Sequence, residues 1–276
     1  MKFLVTILIF CCSAAEATAT DDLMNLSQEE LRIELKSRIP TIASDKKESL
    51  KSDTGYFALL NKYARSLMGQ KVLEIGCSSG ASVRAFANAA SISIVEPDIE
   101  ALALGLSPEW TKQIDIEHLN LLSRWTDETF EAYANRMSVD ISWICNINPV
   151  SSQWIPDATH IYPTILQHIP RNVDRSFDLV TYKDFNIPKD QWEIFFQRLS
   201  EVITLNGTAI IEFWTSEYAD HNSVSHGDLA ACIRKYFTME HVIDTVGHKV
   251  TVSEDPLVLE DAPNDIRFIL LQLKGR

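Results

Sequence analysis

The sequence has few cysteines, glycines and basic residues, and its body contains no long apolar run. Five cysteines and nine glycines among 276 residues exclude a disulfide-rich scaffold and a collagen-like chain. Lys plus Arg total 25 against 38 Asp plus Glu, a formal net charge of −13. A field of this sign repels phosphate backbones and anionic lipid headgroups, so we expect no nucleic-acid partner and no polybasic membrane contact. With 46% apolar residues, the chain is long enough for one large domain with a buried core.

The longest uncharged apolar run lies at the N-terminus, from Phe3 to Ala15 behind Lys2, and small-residue triplets follow at 15–17 and 17–19. This order is typical of a secretory signal peptide. The run is shorter than the roughly 20 residues that span a bilayer as a helix. We therefore expect residues 1–19 to be a leader cleaved near residues 15–19, which directs the protein to the secretory pathway, the periplasm or the extracellular space without a stable membrane span. The alternative is an uncleaved leader that anchors the protein to a membrane.

Three cysteines remain after this leader, namely Cys77, Cys145 and Cys232. They are too few for a disulfide framework and can form at most one bridge, whose members the sequence does not identify. No Cys or His pair has the spacing of a metal site, so we expect no metal.

Local patterns predict helices at 22–69 in front of an alternating α/β region. The residues from Ser27 to Glu30 have the spacing of a capping box, which predicts the start of the first helix. Leu31 and Leu35 then fall on one helical face. A second apolar stripe runs from 56 to 68. We interpret both as helices that cover a sheet, within a single domain over residues 20–276.

Short buried strands separated by helices follow, a pattern typical of a mostly parallel sheet covered on both faces. Predicted strands cover 71–76, 91–96, 177–181 and 207–213, and predicted helices cover 81–90, 191–202 and 228–236. Two final apolar runs have no predicted helix between them, so we expect a closing antiparallel hairpin of 239–243 and 267–273.

About eighty residues separate Glu96 from Phe177, more than one further strand and its helices need. We expect one strand there, at 139–145, and an insertion at about 105–170. Four of the six tryptophans lie in this segment. They form either a local core or a lid and substrate pocket, and the sequence leaves this open.

The residues that suit a ligand site follow the first two predicted strands, because ligands of open α/β sheets bind at the carboxyl ends of strands. Gly76 and Gly80 allow a tight turn and close approach of a ligand, and Ser78 offers a hydroxyl and a backbone amide. Glu96 ends the second strand, where a carboxylate can accept both hydroxyls of a ribose. Glu74 precedes the turn, where it would repel a pyrophosphate but would suit an ammonium group.

The position of Glu74 therefore distinguishes two cofactor classes. Nicotinamide dinucleotides need a glycine turn with amides aimed at phosphate and no carboxylate in the way, which argues against an oxidoreductase. A nucleoside with a positively charged end fits better.

The pattern Glu74-x-Gly76-x-x-x-Gly80, with Glu96-Pro97-Asp98 after the next strand, resembles the class I S-adenosylmethionine-dependent methyltransferases. The resemblance extends from about Tyr56 to the C-terminus. It implies a doubly wound, mostly parallel, seven-stranded sheet whose last strand is antiparallel, with S-adenosylmethionine as cofactor. It also implies a set of cofactor-binding residues: Glu74, Gly76, Cys77, Ser78, Gly80, Glu96, Pro97, Asp98, Asp157 and Tyr182.

Within that set, the resemblance implies that Glu74, Gly76 and Gly80 frame the methionine moiety and that Glu96 holds the ribose. It also implies that Asp98 or its neighbour Ile99 borders the adenine. Asp157 would be a further adenine-facing acid. Two departures from the family stand out. Serine occupies position 78 where the family usually has glycine. Residues 182–185 replace the Asn/Asp-Pro-Pro-aromatic run that serves amino methylation of nucleobases, so we disfavour that reaction.

These features predict methyl transfer from S-adenosylmethionine to a small-molecule or peptide nucleophile. The catalytic base is left open: acids and histidines at 220–221 and 226–228 either supply it or cap and solvate a loop. Cys77 is interpreted as a filler of the turn, because nothing basic adjoins it. The alternative is a secreted, non-catalytic binding protein that retains the fold. The leader motivates it, since S-adenosylmethionine is made inside cells.

Overall fold

A computed structural model of the chain describes residues 22–49, 69–80, 83, 86, 89–113, 155, 160–182, 185, 187–214, 226–246, 249–253 and 266–273. Its helices are α1 (Gln28–Arg38), α2 (Ser44–Ser49), α3 (Ile99–Gly105), α4 (Trp192–Val202) and α5 (His226–Tyr236). Its strands are β1 (Lys71–Ile75), β2 (Ser91–Val95), β3 (His160–Tyr162), β4 (Phe177–Tyr182), β5 (Ile203–Trp214), β6 (Phe237–Val246), β7 (Lys249–Ser253) and β8 (Ile266–Leu273).

The described strands form one sheet in the order β3-β2-β1-β4-β5-β8-β6-β7. The pairs along β3-β2-β1-β4-β5 are parallel. The last strand, β8, lies between β5 and β6 and is antiparallel to both. The predicted mostly parallel sheet with an antiparallel last strand is thus confirmed, as is the hairpin-like pairing of the two final runs. An eighth strand, β7, pairs antiparallel with β6 at the edge and was not predicted.

Two apolar clusters lie on opposite faces of this sheet, because successive side chains of a strand point to opposite sides. On one face, Val72 of β1 belongs to a cluster with Leu31 of α1 and Leu102 of α3. On the other face, Leu73 of β1 belongs to a cluster with Phe195 of α4. The sheet is therefore covered on both sides, as a doubly wound fold requires.

The first helix begins and packs as predicted. Glu30 N donates to Ser27 Oγ at 3.3 Å and Ser27 N donates to a Glu30 carboxylate oxygen at 2.9 Å, which completes the capping box. Leu31 and Leu35 are 1% and 0% exposed. The side-chain amide of Gln28 also donates to Ile161 O at 2.9 Å and accepts from Ile161 N at 2.7 Å. Because β3 is an edge strand, these bonds satisfy backbone groups that another strand would otherwise pair.

Several predicted elements lie outside the described residues, namely the leader at 1–19, the helical stripe at 56–68, most of the helix at 81–90 and the strand at 139–145. The strand that pairs with β2 is His160–Tyr162. Of the four tryptophans in the proposed insertion, Trp110 is described, and it is buried in the cluster on the α1 and α3 face. No helix within the described ranges is both long and apolar enough to cross a bilayer.

Candidate functional site

A cavity of about 500 Å³ opens at the carboxyl ends of β1, β2 and β4. This volume is within the range of about 300 to 1,000 Å³ that is usual for small-molecule sites. β2 and β4 flank β1 on opposite sides, so the cavity lies where the strand order reverses, the usual ligand position in open α/β sheets. Its described lining is Ile75, Gly76, Ser78, Val95, Glu96, Pro97, Asp98, Ile165, Leu166, Gln167, Tyr182, Ile187, Pro188, Gln191 and Phe195.

The turn after β1 forms the floor of the cavity. Its backbone is left-handed at three positions, with φ of 69° at Gly76, 54° at Ser78 and 83° at Gly80. Gly76 N donates to Val95 O at 2.9 Å, which ties the turn to the end of β2. A serine in this region of φ is strained by about 1 to 3 kcal/mol, and such residues are concentrated at functional sites. The strained geometry lets the Ser78 amide contact Glu96.

Glu96 is a buried carboxylate, 6% exposed, in the wall of the cavity. One of its oxygens accepts from Ser78 N at 2.6 Å and the other from Asp98 N at 2.8 Å. Burial raises the pKa of Glu96 to about 7, although these two backbone hydrogen bonds oppose the increase. A carboxylate offers about four acceptor positions, so roughly two remain for hydroxyl groups inside the cavity.

Asp98 lines the cavity and also fixes the start of α3. Its Oδ1 accepts from Glu100 N at 3.1 Å and from Ala101 N at 3.0 Å, which makes it the N-cap of the helix. Its Oδ2 accepts from Lys46 Nζ, on α2. Lys46 was not predicted from the sequence, since its position beside Asp98 depends on how the N-terminal segment folds over the sheet.

The charge of the lining has one sign. Among the described residues that line the cavity, Glu96 and Asp98 are the charged ones, and both are acidic. Asp98 is paired with Lys46, and the pKa of Glu96 is about 7, so the negative charge of this wall is partly compensated near neutral pH. A carboxylate at the end of the second strand can accept ribose hydroxyls, so the lining fits the ribose of a nucleoside.

Three of the predicted cofactor residues lie behind this wall. Glu74 is 0% exposed, and the alternation along β1 places it on the face of Val72, while Ile75 faces the cavity. Cys77 is 1% exposed, and burial, followed by the charges of Glu96 and Glu74, raises the pKa of its thiol well above the usual value. This supports Cys77 as a filler of the turn, since a nucleophilic thiol needs a lowered pKa.

Gly80 is the third of these residues. A Cβ at Gly80 would lie 2.7 Å from Ile155 Cγ1, so its missing side chain serves packing. The carboxylate in the cavity wall that could bind a nucleoside is therefore Glu96 and not Glu74. A contact between Glu74 and a cofactor stays a prediction.

Tyr182 ends β4 in the cavity wall. Its ring lies 5.3 Å from that of Phe185 and 5.2 Å from that of Phe195, measured between centroids. These rings give the cavity a rigid aromatic side next to β4. Asp157 and the Asp-His pair at 220–221 lie outside the described residues, and Asp228 on α5 forms an ion pair with Lys189.

The rest of the lining comes from loops that carry no motif. Residues 165–167 follow β3, and residues 187–191 precede α4. Both segments were missed, because only the tertiary fold brings them to the strand ends.

The two thiols of Cys77 and Cys232 are free and belong to clusters on opposite faces of the sheet, while Cys145 lies outside the described residues.

The last residue of α3 packs directly on the turn, which gives a test of the floor of the cavity. A Cβ at Gly105 would lie 2.1 Å from the carbonyl oxygen of Ser79. We expect Gly105→Ala to lower the free energy of unfolding by about 1 to 3 kcal/mol, although alanine favours a helix by about 1 kcal/mol. Urea unfolding measures this, with Glu100→Ala on the same helix as the control. Equal urea midpoints for Gly105→Ala and Glu100→Ala would show that the turn at Ser79 can move to accept the extra methyl group without a loss of stability.

No family model matches the sequence, and no curated protein sequence matches it. Among solved structures, the chain is similar to the N-methyltransferase NodS from Bradyrhizobium japonicum in complex with S-adenosyl-L-homocysteine, at 12% identity and a TM-score of 0.48, over 83% of this chain and 99% of NodS. It is also similar to a TehB-like SAM-dependent methyltransferase from Corynebacterium glutamicum, at 12% identity and a TM-score of 0.44, over 81% and 91% of the two chains. Spermidine synthase from Thermotoga maritima aligns at 14% identity and a TM-score of 0.44, over 79% of this chain and 58% of that enzyme.

The strand order decides the fold independently of these alignments. A parallel β3-β2-β1-β4-β5 array is followed by β6, with the antiparallel last strand inserted between β5 and β6. The chain has the class I methyltransferase fold. The edge strand β7 is an addition to it. The likeness to the solved structures is one of fold, and the activity has to be argued from the cavity.

Proposed function

We propose that this chain binds S-adenosylmethionine in the cavity at the ends of β1, β2 and β4 and transfers its methyl group to a small-molecule or peptide nucleophile. One observation supports the proposal above all others. A buried carboxylate, Glu96, is fixed at the end of β2 by two backbone amides and faces the cavity with acceptor positions to spare.

The described residues suit an adenosine with a positively charged tail. Glu96 can accept the two ribose hydroxyls, and the apolar side chains of Leu166 and Phe195, which line the cavity, can pack against a base. The charge of Glu96, as far as it is ionised, favours an ammonium or a sulfonium group over the phosphates of a dinucleotide. These features support S-adenosylmethionine over a nicotinamide cofactor.

When bound, S-adenosylmethionine would supply a methyl group on a positively charged sulfur atom; a nucleophile would attack the methyl carbon in line as the carbon–sulfur bond breaks, and the sulfur would leave as the neutral thioether of S-adenosylhomocysteine. The residues of this chain contribute placement: Glu96 orients the ribose, and the turn at Gly76 to Ser78 brings backbone close to the ligand. Tyr182 and Phe195 form an apolar wall that excludes water beside β4. Holding the reactants in line can supply about 7 to 11 kcal/mol of the barrier, so such a reaction needs no strong acid.

The test is binding of the cofactor and of its demethylated product by the purified chain. Calorimetry should show micromolar dissociation constants for S-adenosylmethionine and S-adenosylhomocysteine and no binding of the phosphate-bearing dinucleotide NAD. At a ligand concentration of about 100 times the dissociation constant, the folded state should gain roughly 2.7 kcal/mol, which raises the melting temperature. No heat of binding together with an unchanged melting temperature would contradict the proposal.

A secreted binding protein without transferase activity is the second candidate. The hydrogen bonds of Glu96 to Ser78 and Asp98 are compatible with it, since they give the carboxylate a structural role that needs no ligand. Transfer of an isotopically labelled methyl group to any member of a panel of amines, thiols and hydroxyl compounds would exclude this candidate.

We also propose export through a cleaved leader, which mass spectrometry of the mature N-terminus would test.

A further inference from the structure

A continuous series of polar contacts joins the N-terminal segment to the cavity. Lys46 Nζ on α2 donates to Asp98 Oδ2. Asp98 N donates to Glu96 at 2.8 Å, and Ser78 N donates to the other oxygen of the same carboxylate at 2.6 Å. A side chain 52 residues before Asp98 thus reaches the rim of the site.

These contacts fix the segment that carries Glu96. Both oxygens of Asp98 are engaged, Oδ1 by the first amides of α3 and Oδ2 by Lys46. The backbone amide of Asp98 is therefore held in the direction of Glu96. Lys46 and Asp98 are about one third exposed, 32% and 31%, so the ion pair itself adds little to stability. Its effect is on the placement and charge of the cavity wall.

We propose that Lys46 is a positioning residue, which holds Asp98 and thereby keeps Glu96 as an ionised, correctly placed acceptor for the hydroxyls of a bound nucleoside. The inference rests on the proposed function, and it extends that function to the N-terminal segment. Residues 22–49 then form part of the binding unit through Lys46.

The charges that face Glu96 support this role. Asp98 lies on the same loop as Glu96, Lys46 reaches it from α2, and the thiol of Cys77 lies in the turn. Two further acids are close to these groups: Glu74 interacts with Cys77, and Glu100 of α3 interacts with Lys46. Burial raises the pKa of Glu96 most, and the charge of Lys46 lowers it. Removal of Lys46 should therefore raise the pKa of Glu96 further and narrow the pH range in which the carboxylate is ionised.

Lys46 keeps its own charge over the useful pH range. Partial burial lowers the pKa of Lys46, but the hydrogen bond to Asp98 and the charges of Asp98, Glu100 and Glu96 outweigh this and raise it. Any pH dependence of binding near neutrality that involves this group of residues is thus expected to come from Glu96.

The test compares full-length variants by calorimetry with S-adenosylhomocysteine between about pH 6 and pH 8.5. Lys46→Met should weaken binding by at least about twofold at pH 7 and by less at pH 8.5, because the ionised fraction of Glu96 is most sensitive near its pKa of about 7. Lys46→Arg keeps the charge and should restore binding, and Lys47→Met, the neighbouring lysine of the same helix, is the matched control. Ionisation of the ligand itself does not affect the comparison, because every variant is titrated with the same compound at the same pH values.

Each outcome bears on the inference. Lys46→Met binding like the unchanged chain would overturn it. A loss of equal size at every pH would also overturn it, because the inference requires Lys46 to favour the ionised form of Glu96, and such a loss would mean that Lys46 acts on the structure of the N-terminal segment alone. Failure of the unchanged chain to bind at all would refute the proposed function and the inference with it. If melting shows that Lys46→Met does not fold, Lys46→Gln repeats the test with a polar side chain.

Discussion

Replacement of Glu96 by alanine should lower the affinity for S-adenosylmethionine and S-adenosylhomocysteine by about 100-fold or more. The carboxylate would accept two ribose hydroxyls, and a hydrogen bond to a charged group contributes about 1.5 to 3 kcal/mol. Alanine also leaves Ser78 N and Asp98 N without their acceptor, so the turn and the loop lose their connection. Isothermal titration calorimetry measures the affinity, and thermal unfolding of the free protein separates the loss of binding from a loss of structure.

Two further variants sharpen this result. Glu100→Ala removes an exposed acid a few residues away, so it reports the general effect of one negative charge and should bind like the unchanged chain. Glu96→Gln keeps the shape, but its amide nitrogen would face one of the two backbone donors, so it should also bind poorly. A dissociation constant for Glu96→Ala within about threefold of the unchanged chain would remove the observation on which the proposed function rests.

The parallel strands nearest the site were predictable because a strand buried on both faces needs an unbroken apolar run. The predicted strands at 71–76, 91–96 and 177–181 appear as Lys71–Ile75, Ser91–Val95 and Phe177–Tyr182. β5 begins earlier than predicted, at Ile203, because α4 continues directly into it. The start of this strand could not be found from apolar periodicity, since residues 204–207 have the composition of a turn and the pairing of β5 with β4 shifts register there, between Phe177 and Leu179.

Two strands were missed for different reasons. β3 has three residues, too few for a periodic signal, and its outer backbone groups are satisfied by Gln28, 133 residues away in sequence. Such a strand depends on tertiary contacts. β7 did carry a signal, because Val250 and Val252 alternate with polar residues in the manner of an edge strand.

The site was predictable in its position and only partly in its details. Of the ten cofactor residues that the resemblance implied, six line the cavity: Gly76, Ser78, Glu96, Pro97, Asp98 and Tyr182. A motif gives the spacing of residues along a strand, but it does not show on which face of the sheet each side chain lies. Strict alternation along β1 would have placed Glu74 with Val72 and away from Ile75, so this part was within reach of the sequence.

Loss of the buried Arg198 should strongly destabilise the folded state. Arg198 on α4 is 3% exposed, and its Nη2 donates to Ile169 O at 3.2 Å and Pro170 O at 3.1 Å. Its Nη1 donates to Asp174 Oδ1 at 2.5 Å and to a Glu201 carboxylate oxygen at 3.1 Å. One buried guanidinium thus joins α4 to the segment after β3, whose residues 165–167 line the cavity.

We expect Arg198→Met to lower the free energy of unfolding by about 3 kcal/mol, because it leaves two carbonyls and Asp174 without their donor. The loss stays below the largest values for buried pairs, since Asp174 is 35% exposed and water can reach it. Binding of S-adenosylhomocysteine should also weaken, because the loop at 165–167 loses its attachment to α4. Urea unfolding and calorimetry measure the two effects.

Arg171 and a conservative replacement of Arg198 provide the controls. Arg171 pairs with the same Glu201 but is 67% exposed, so Arg171→Ala should cost about 0.5 kcal/mol or less. Arg198→Lys keeps the charge, but one ammonium cannot reach both the two carbonyls and Asp174, so only part of the stability should return. Equal unfolding midpoints for Arg198→Met and Arg171→Ala would show that the buried guanidinium does not attach the loop at 165–167 to α4. The wall of the cavity would then have to be held by apolar packing at Leu166 and Ile169 alone.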